Sequence, residues 1–419
     1  MKKNRKRKKG KKKTRHSRGR SPKAVRGEPE GFALLGNKDT KSSSLPPSDV
    51  SPERLRMEVR AKRYEYQATA RWLLMQEGQF RGLKYPSNFH RTAKCLYVSI
   101  GETRVYRNEL QNYSYFAGLP VCGSVWCCAV CSAKIQEKRR VEIAIGMNWA
   151  YSNGKKCVMV TLTFPHYSWQ HLEDILKHFA YALNLLRGGK LWTKIKNEIG
   201  FAGLIRSLEV TYGRNGWNAH SHEIWIIDED ADVEFLKLAV LQQWRKACIK
   251  AGLLDADDIK KIMSFMCHSV HVRDNARTGD YLAKQDDLRR WGADRELAKS
   301  NSKSGRDSGR HPFALLATAE WSNKDGQLFL EYAQAIIGRR QIFWSPGLRD
   351  KVGVYEVTDE ELAKERPERA NALAVLTSTE WNIIAREEAR VEILDLAELR
   401  GWAGIAEWFG RRGIKLAYR

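Results

Sequence analysis

The chain has 419 residues, 42% of them hydrophobic, and a formal net charge of +24. That length and apolar content allow a sizeable core and exclude a wholly disordered chain, with two or three structural units as a loose prior. No 18 apolar residues run together and no apolar core follows the positive start, so neither a membrane span nor a secretory signal is expected, and a cytoplasmic location is.

Residues 1–50 open the chain. Lys and Arg number 15 before the first acidic residue, Glu28, and a polar Ser- and Pro-containing linker follows. Such a tail repels itself and stays disordered in water, yet binds polyphosphates by releasing their counterions. Nucleic acid is the expected partner, although a tail of this kind can equally be a solubility or localisation appendage.

Residues 51–150 are expected to hold a helix and a cysteine-rich module. Ser51 as N-cap and Pro52 at the first helical position predict a long basic helix that ends at Gly78. Short strand-like pieces follow to about Val121. A second helix from about Ser132 then exposes Lys134, Lys138, Arg139 and Arg140, a basic face suited to DNA.

Four of the eight cysteines, Cys122, Cys127, Cys128 and Cys131, fall within ten residues. In a reducing compartment that clustering favours metal thiolates over disulfides. Cys128 and Cys131 have the C-x-x-C spacing that places two thiolates on one zinc ion. Cys122 is the expected third ligand and Cys95 the best candidate for a fourth, with Cys127 competing with Cys128 for one place. Cys157, Cys248 and Cys267 sit singly in apolar surroundings and read as core residues.

From 151 to 295 strands and helices alternate, with strands expected at 157–164, 202–212, 219–227 and 267–273. The segment "EVTYGRNGWNAHSHEIWII" (209–227) reads as a hairpin with two histidines two residues apart, so both rings share a face. A turn at Asn215–Gly216 would set Glu209 opposite His222. A loop from Gly213 to Gly216 would set it opposite His220. Either even-length loop puts Glu209 on the histidine face, whereas a bulge would not.

Two imidazoles and a carboxylate on an open sheet face form a three-ligand site with positions left for substrate or water, as a catalytic Mg or Mn ion requires. In isolation an H-x-H is more often a hydrogen-bonded strand pair. Further on, "YLAK" places Tyr281 and Lys284 three apart, neighbours on one helical face. Tyr281 offers a nucleophile and Lys284 a cation for a phosphate. From 296 to 419 a charged Ser-rich loop leads into a mostly helical pattern.

Taken together, these segments resemble the plasmid rolling-circle replication initiators of the HUH endonuclease superfamily. "VTLTFPH" (160–166) resembles the first strand motif, "IRSLEVTYGRNGWNAHSHEIW" (205–225) the metal motif, "YLAK" (281–284) the tyrosine motif and "CGSVWCCAVCSAKI" (122–135) the upstream cysteine block. The resemblance implies an α+β fold, an antiparallel sheet flanked by helices, with a zinc module before it and a mostly helical region after it. It also implies metal ligation by Glu209, His220 and His222, a Tyr281 that becomes linked to a 5′ phosphate, and a zinc set containing Cys128 rather than Cys127.

Asn218 and Ser221 depart from the usual W-H-P-H-x-H pattern, and Ala129 stands where a proline is common. The implied substrate is origin DNA. No G-x-x-x-x-G-K-[ST] occurs, so unwinding is expected to fall to a host helicase and extension to a host polymerase. A transposase or relaxase with the same chemistry, or a non-catalytic zinc-containing DNA-binding regulator, remain alternatives on residues alone.

Overall fold

Ser51 opens the first helix: its Oγ accepts the Arg54 amide at 3.2 Å, and Pro52 follows where a missing N–H costs nothing. This helix, α1 (Pro52–Phe80), runs past Gly78, where the sequence reading ended it. Gly78 serves close packing instead of termination, because a Cβ there would lie 2.7 Å from the Phe89 ring. The computed structural model describes residues 51–81, 89–109, 112–274, 309–364 and 370–417. Tyr281, Lys284 and the basic tail of residues 1–50 lie outside the described residues.

After α1 come β1 (Thr103–Asn108), β2 (Tyr113–Ala117) and α2 (Ala129–Ser152). Next are β3 (Lys155–Leu162), α3 (Leu172–Leu186), α4 (Gly189–Glu198), β4 (Gly203–Gly213) and β5 (Gly216–Asp228). They are followed by α5 (Val233–Lys250), α6 (Ile259–His268) and β6 (Val270–Arg273). Beyond residue 309 lie α7 (Pro312–Leu316), α8 (Asn323–Ala335), β7 (Ile342–Trp344), α9 (Leu348–Val352) and α10 (Asp359–Lys364). The last are β8 (Asn371–Leu376), α11 (Ser378–Arg386) and α12 (Arg390–Gly410), the last broken at Gly401.

Among the described residues the result is an α+β arrangement with two antiparallel sheets, ordered β2-β1-β8 and β6-β3-β5-β4-β7. Residues beyond 296, expected as a separate helical region, supply a strand to each sheet. Strand β7 lies in a stretch whose apolar pattern reads as helix. There Gly338, at φ +73°, stands just past α8, and Ile342–Trp344 pair with β4. Cys267 is a correction of another kind: it lies on α6 and is exposed, because α6 turns only one narrow face inward at Phe265.

The period of two sorts the larger sheet into two faces. Val158, Val160, Leu162, Leu204, Val210 and Trp225 face the main core with α3 and α5. Cys157, Met159, Ile205, Ile224 and Ile226 point the other way, against Ile143, Met147 and Ala150 of α2, Trp344 of β7 and Leu348 of α9. Farther along that second face stand Thr161, Ser207, Glu209, His220 and His222. Among the described residues no helix is long and apolar enough to cross a membrane.

Candidate metal centres

The cysteine block folds around a turn that a sequence alone does not reveal. Cys95 follows a short 3-10 turn (Arg91–Lys94), and Cys122 lies two strands later. Cys128 is the N-cap of α2 and Cys131 sits in its first turn. Residues at a helix N-terminus meet the positive end of its dipole, which favours thiolates.

All four cysteines are buried, with Sγ–Sγ distances of 3.5 Å for Cys95–Cys131, 3.7 Å for Cys122–Cys131 and 3.8 Å for Cys95–Cys128. A tetrahedron of Zn–S bonds about 2.3 Å long has edges of about 3.8 Å. These separations fit that figure and are far from the ~2.05 Å of a disulfide. The group can hold a metal such as zinc.

Hydrogen bonds from Cys122, Cys128 and Cys95 hold the Cys131 thiol far below the usual thiol range, while the hydrogen bond with Cys122 pushes Cys95 up and burial pushes Cys128 up, so the negative charge of the cluster centres on Cys131. Cys127 stands apart because its sulfur is not in the group of four that lie within 4.8 Å of one another, and burial pushes its thiol up to about 12.

Backbone and side-chain N–H groups surround this charge. Cys95 Sγ accepts the Cys122 amide at 3.3 Å, Cys122 Sγ the Ser124 amide at 3.4 Å, and Cys128 Sγ the Gln67 Nε2 at 3.3 Å. The Gln67 Oε1 in turn accepts Arg390 Nη1 at 2.9 Å, and Arg390 is only 2% exposed. A tetrathiolate zinc would keep a net charge of −2, and a buried guanidinium one side chain away, itself also paired with Glu388 at 3.0 Å, offsets part of it.

His90 caps the 3-10 turn through Nδ1, which accepts the Thr92 amide at 3.2 Å. Burial, and then the neighbouring Arg91 cation, push this imidazole down to about 4. The unfolded ring titrates near 6.5, so the unfolded chain binds the extra proton, and stability is lost as pH falls from about 6.5 towards 4. His90→Asn, which keeps a capping acceptor without titrating, is expected to remove that loss, on the order of 2 kcal/mol between pH 7 and pH 5. Thermal midpoints of both proteins at pH 7 and pH 5 measure it. Equal falls in the two would rule His90 out as the source.

At the second centre, the hairpin adopts the register with Glu209 opposite His220, Ser207 opposite His222 and Gly213 opposite Gly216. The Asn215–Gly216 register is not formed; the turn is Arg214–Asn215. His220 Nε2 and His222 Nε2 each lie 3.2 Å from the same oxygen, Glu209 Oε2. Ligands about 2.1 Å from an ion and 90° to 109° apart would be about 3.0 to 3.4 Å from one another. The three donors therefore fit a divalent ion, and their side chains keep 15 to 19% exposure, open to a substrate.

Burial alone would raise the Glu209 carboxyl, but hydrogen bonds and charge from His220 and His222 hold it well below the usual range, so it stays ionised. Thr161 Oγ1 lies 3.0 Å from His222 Nδ1 across the β3–β5 pair. That contact fixes the ring with Nε2 turned to Glu209.

Sequence reasoning missed three neighbours of this centre. Thr161 is one. His166, just past β3, has its imidazole lowered first by burial and further by His220; His311, at the N-cap of α7, is pushed down to about 4 by burial, against an opposing pull from Glu209. The signal was present in "VTLTFPH" and "HPFALL", where a histidine ends or begins a buried element. Only the third dimension brings them to Glu209 and His220.

The basic face of α2 differs from expectation. Arg139 is bound to Glu142 at 3.0 Å, to Asp359 at 2.8 Å and to the Val357 carbonyl at 2.7 Å, and Arg140 to Glu137 at 2.7 Å. Lys134 Nζ lies 5.8 Å from the Tyr115 ring centroid, and of the four only Lys138 is exposed rather than half-buried. The helix turns this side towards α10, whose acidic first turn takes up Arg139.

No family model matches the chain, and no solved structure matches it. It is similar to "Protein rep" of Streptomyces lividans, 26% identical over 354 aligned residues that cover 68% of this chain and 76% of the relative. It is also similar to a "Neomycin resistance protein" of Streptomyces cyanogenus, 28% identical over 135 residues, 26% of this chain and 31% of that protein. The likeness to plasmid Rep proteins carried by the motifs is thus met by a Rep protein along most of both chains.

Proposed function

We propose, from the similarity to a Rep protein, that this chain is a rolling-circle replication initiator of the HUH endonuclease type. It nicks one strand at a plasmid origin and rejoins strands at termination. The observation that carries the reading is the convergence of Glu209 Oε2, His220 Nε2 and His222 Nε2 on one open face of an antiparallel sheet.

Glu209, His220 and His222 would hold a Mg or Mn ion, which when bound supplies Lewis-acid polarisation of the scissile phosphate. The Tyr281 oxygen attacks phosphorus and gives up its proton. The P–O3′ bond breaks, and the 3′ oxygen takes up a proton as the free hydroxyl. Phosphorus stays bonded to the tyrosine as a 5′-phosphotyrosyl link, so the bond energy is kept for rejoining. Lys284 sets a cation beside the phosphate.

Reach is compatible with these roles. Tyr281 is eight residues past Arg273, the end of β6. Eight residues span at most about 29 Å, and β6 is two strand spacings from the histidine strand, roughly 10 Å.

The cysteine centre would hold structural zinc. DNA would be engaged by Lys134, Lys138 and the exposed parts of Arg139 and Arg140, and by the basic tail. A host helicase would unwind ahead of a host polymerase extending the 3′ hydroxyl, all in the cytoplasm.

Incubation with Mn²⁺ or Mg²⁺ and labelled single strands of the origin is expected to yield an SDS-stable protein–DNA adduct. Tyr281→Phe should form none above background. A Tyr281→Phe protein that forms the adduct as well as wild type, or a wild type inert on every origin strand, would overturn the reading.

A further inference from the structure

Next to the Glu209–histidine centre the surface carries an aromatic pair that packing does not account for. Tyr167 and Trp169, in the loop after β3, stack with ring centroids 5.9 Å apart and planes 4° from parallel, yet Trp169 is 75% exposed. A large exposed indole held parallel to a second ring is a preformed flat face.

The loop is pinned. The Tyr167 amide donates to Gln170 Oε1 at 2.8 Å and the Gln170 amide to the Tyr167 carbonyl at 3.1 Å. Gly216 of β5 closes on it from below: its φ is +86°, and a Cβ would lie 2.7 Å from Ser168 Cα. Lys261 Nζ, also paired with Asp258 at 3.1 Å, lies 5.3 Å from the Tyr167 ring centroid, and Ile259 and Met263 of the same helix are 71% and 66% exposed.

Position decides what such a face meets. Gly216 is four residues along β5 from His220, about 13 Å at the usual strand rise. His166, the residue before Tyr167, is four residues past Leu162, the end of β3, whose partner across the sheet is Ser221, between the two histidines. Edge strand β6 adds exposed His271 and Arg273 on the face of Thr161 and His222. Flat aromatics beside cations, a few nucleotides from a phosphate-binding centre, suit unpaired bases, because every base offers a π face and a duplex hides it.

We infer that Trp169 and Tyr167 form a stacking platform for unpaired bases flanking the scissile phosphate. The inference rests on the proposed reading of the Glu209–His220–His222 centre. It adds the residues that would receive the bases of that single strand, splayed onto this loop.

The test measures binding of labelled single-stranded and duplex oligonucleotides by fluorescence anisotropy, without added divalent ions so that binding is read apart from cleavage. Base–aromatic stacking of 1–3 kcal/mol per base converts to a loss of roughly five- to 150-fold. Trp169→Ala is expected to weaken single-strand binding by that factor and leave duplex binding unchanged, while Trp169→Phe keeps most of it. Because Trp169 is exposed, its removal spares the core.

Single-strand binding by Trp169→Ala equal to wild type, or an equal loss on duplex, would overturn the platform. Adduct formation by wild type in parallel reactions with Mn²⁺ separates the two claims. A wild type that forms the adduct while Trp169→Ala binds normally defeats the platform alone, whereas Trp169-dependent binding without any adduct upholds the platform and defeats the nicking reaction.

Discussion

Cys131→Ser is expected to purify without metal at the cysteine centre and with residues 91–131 open to protease. Serine replaces a thiolate that the three other cysteines converge on, within 3.5 Å of Cys95 and 3.7 Å of Cys122. Structural zinc contributes about 10–16 kcal/mol to small domains that depend on it, more than the whole stability of a typical domain. The damage should spread to the C-terminal part, because Arg390 and Gln67 are built around the same charge.

Zinc content by metal analysis and the pattern of limited proteolysis report both effects. Cys127→Ala is the control: Cys127 is buried beside the ligands, but its sulfur lies outside the group of four, so the zinc should stay. Full zinc content in Cys131→Ser, or its loss from Cys127→Ala, would show the ligand set to be wrong.

Alanine at Glu209, His220 or His222 is expected to lower metal-dependent adduct formation by at least about 10³-fold, equivalent to roughly 4 kcal/mol of barrier. Each substitution removes one of three donors that meet around a single oxygen, leaving too few to hold a labile divalent ion. The zinc content of these variants should match wild type, since the two centres share no residue. Zinc loss from the histidine variants would mean that the roles of the two centres had been confused. Adduct formation within tenfold of wild type would remove the triad from the chemistry.

The hairpin was legible because strand geometry is local. A period of two puts His220 and His222 on one face, and any even loop adds Glu209. What the residues left open was which of two registers forms, and the close packing of Gly216 on Ser168 accompanies the one observed. The cysteine group was legible for a similar reason, since C-x-x-C spacing at a helix start brings two thiols together.

The failures are non-local or depend on which side of a helix is covered. Nothing near Arg139 announces Asp359, 220 residues away. Nothing near Asn371–Leu376 announces β1. Cys267 read as core because its neighbours are apolar, yet α6 exposes that side. Gly78 read as a stop, although the ring of Phe89 requires it inside the helix. Tyr281 and Lys284 lie outside the described residues, and their place at the centre remains part of the proposal.

The pairing of β1 with β8 and the bond from Arg390 to Gln67 also set a timetable. Gln67 and Arg390 are 323 residues apart. At 5–20 residues per second, a ribosome needs roughly a quarter of a minute to a minute to cover that distance. For that interval the cysteine module waits with one edge of β1 unpaired, and an unpaired edge recruits any strand that arrives first. Crowded polysomes, where neighbouring nascent chains carry the same open edge, are therefore where this protein is most exposed to misassembly.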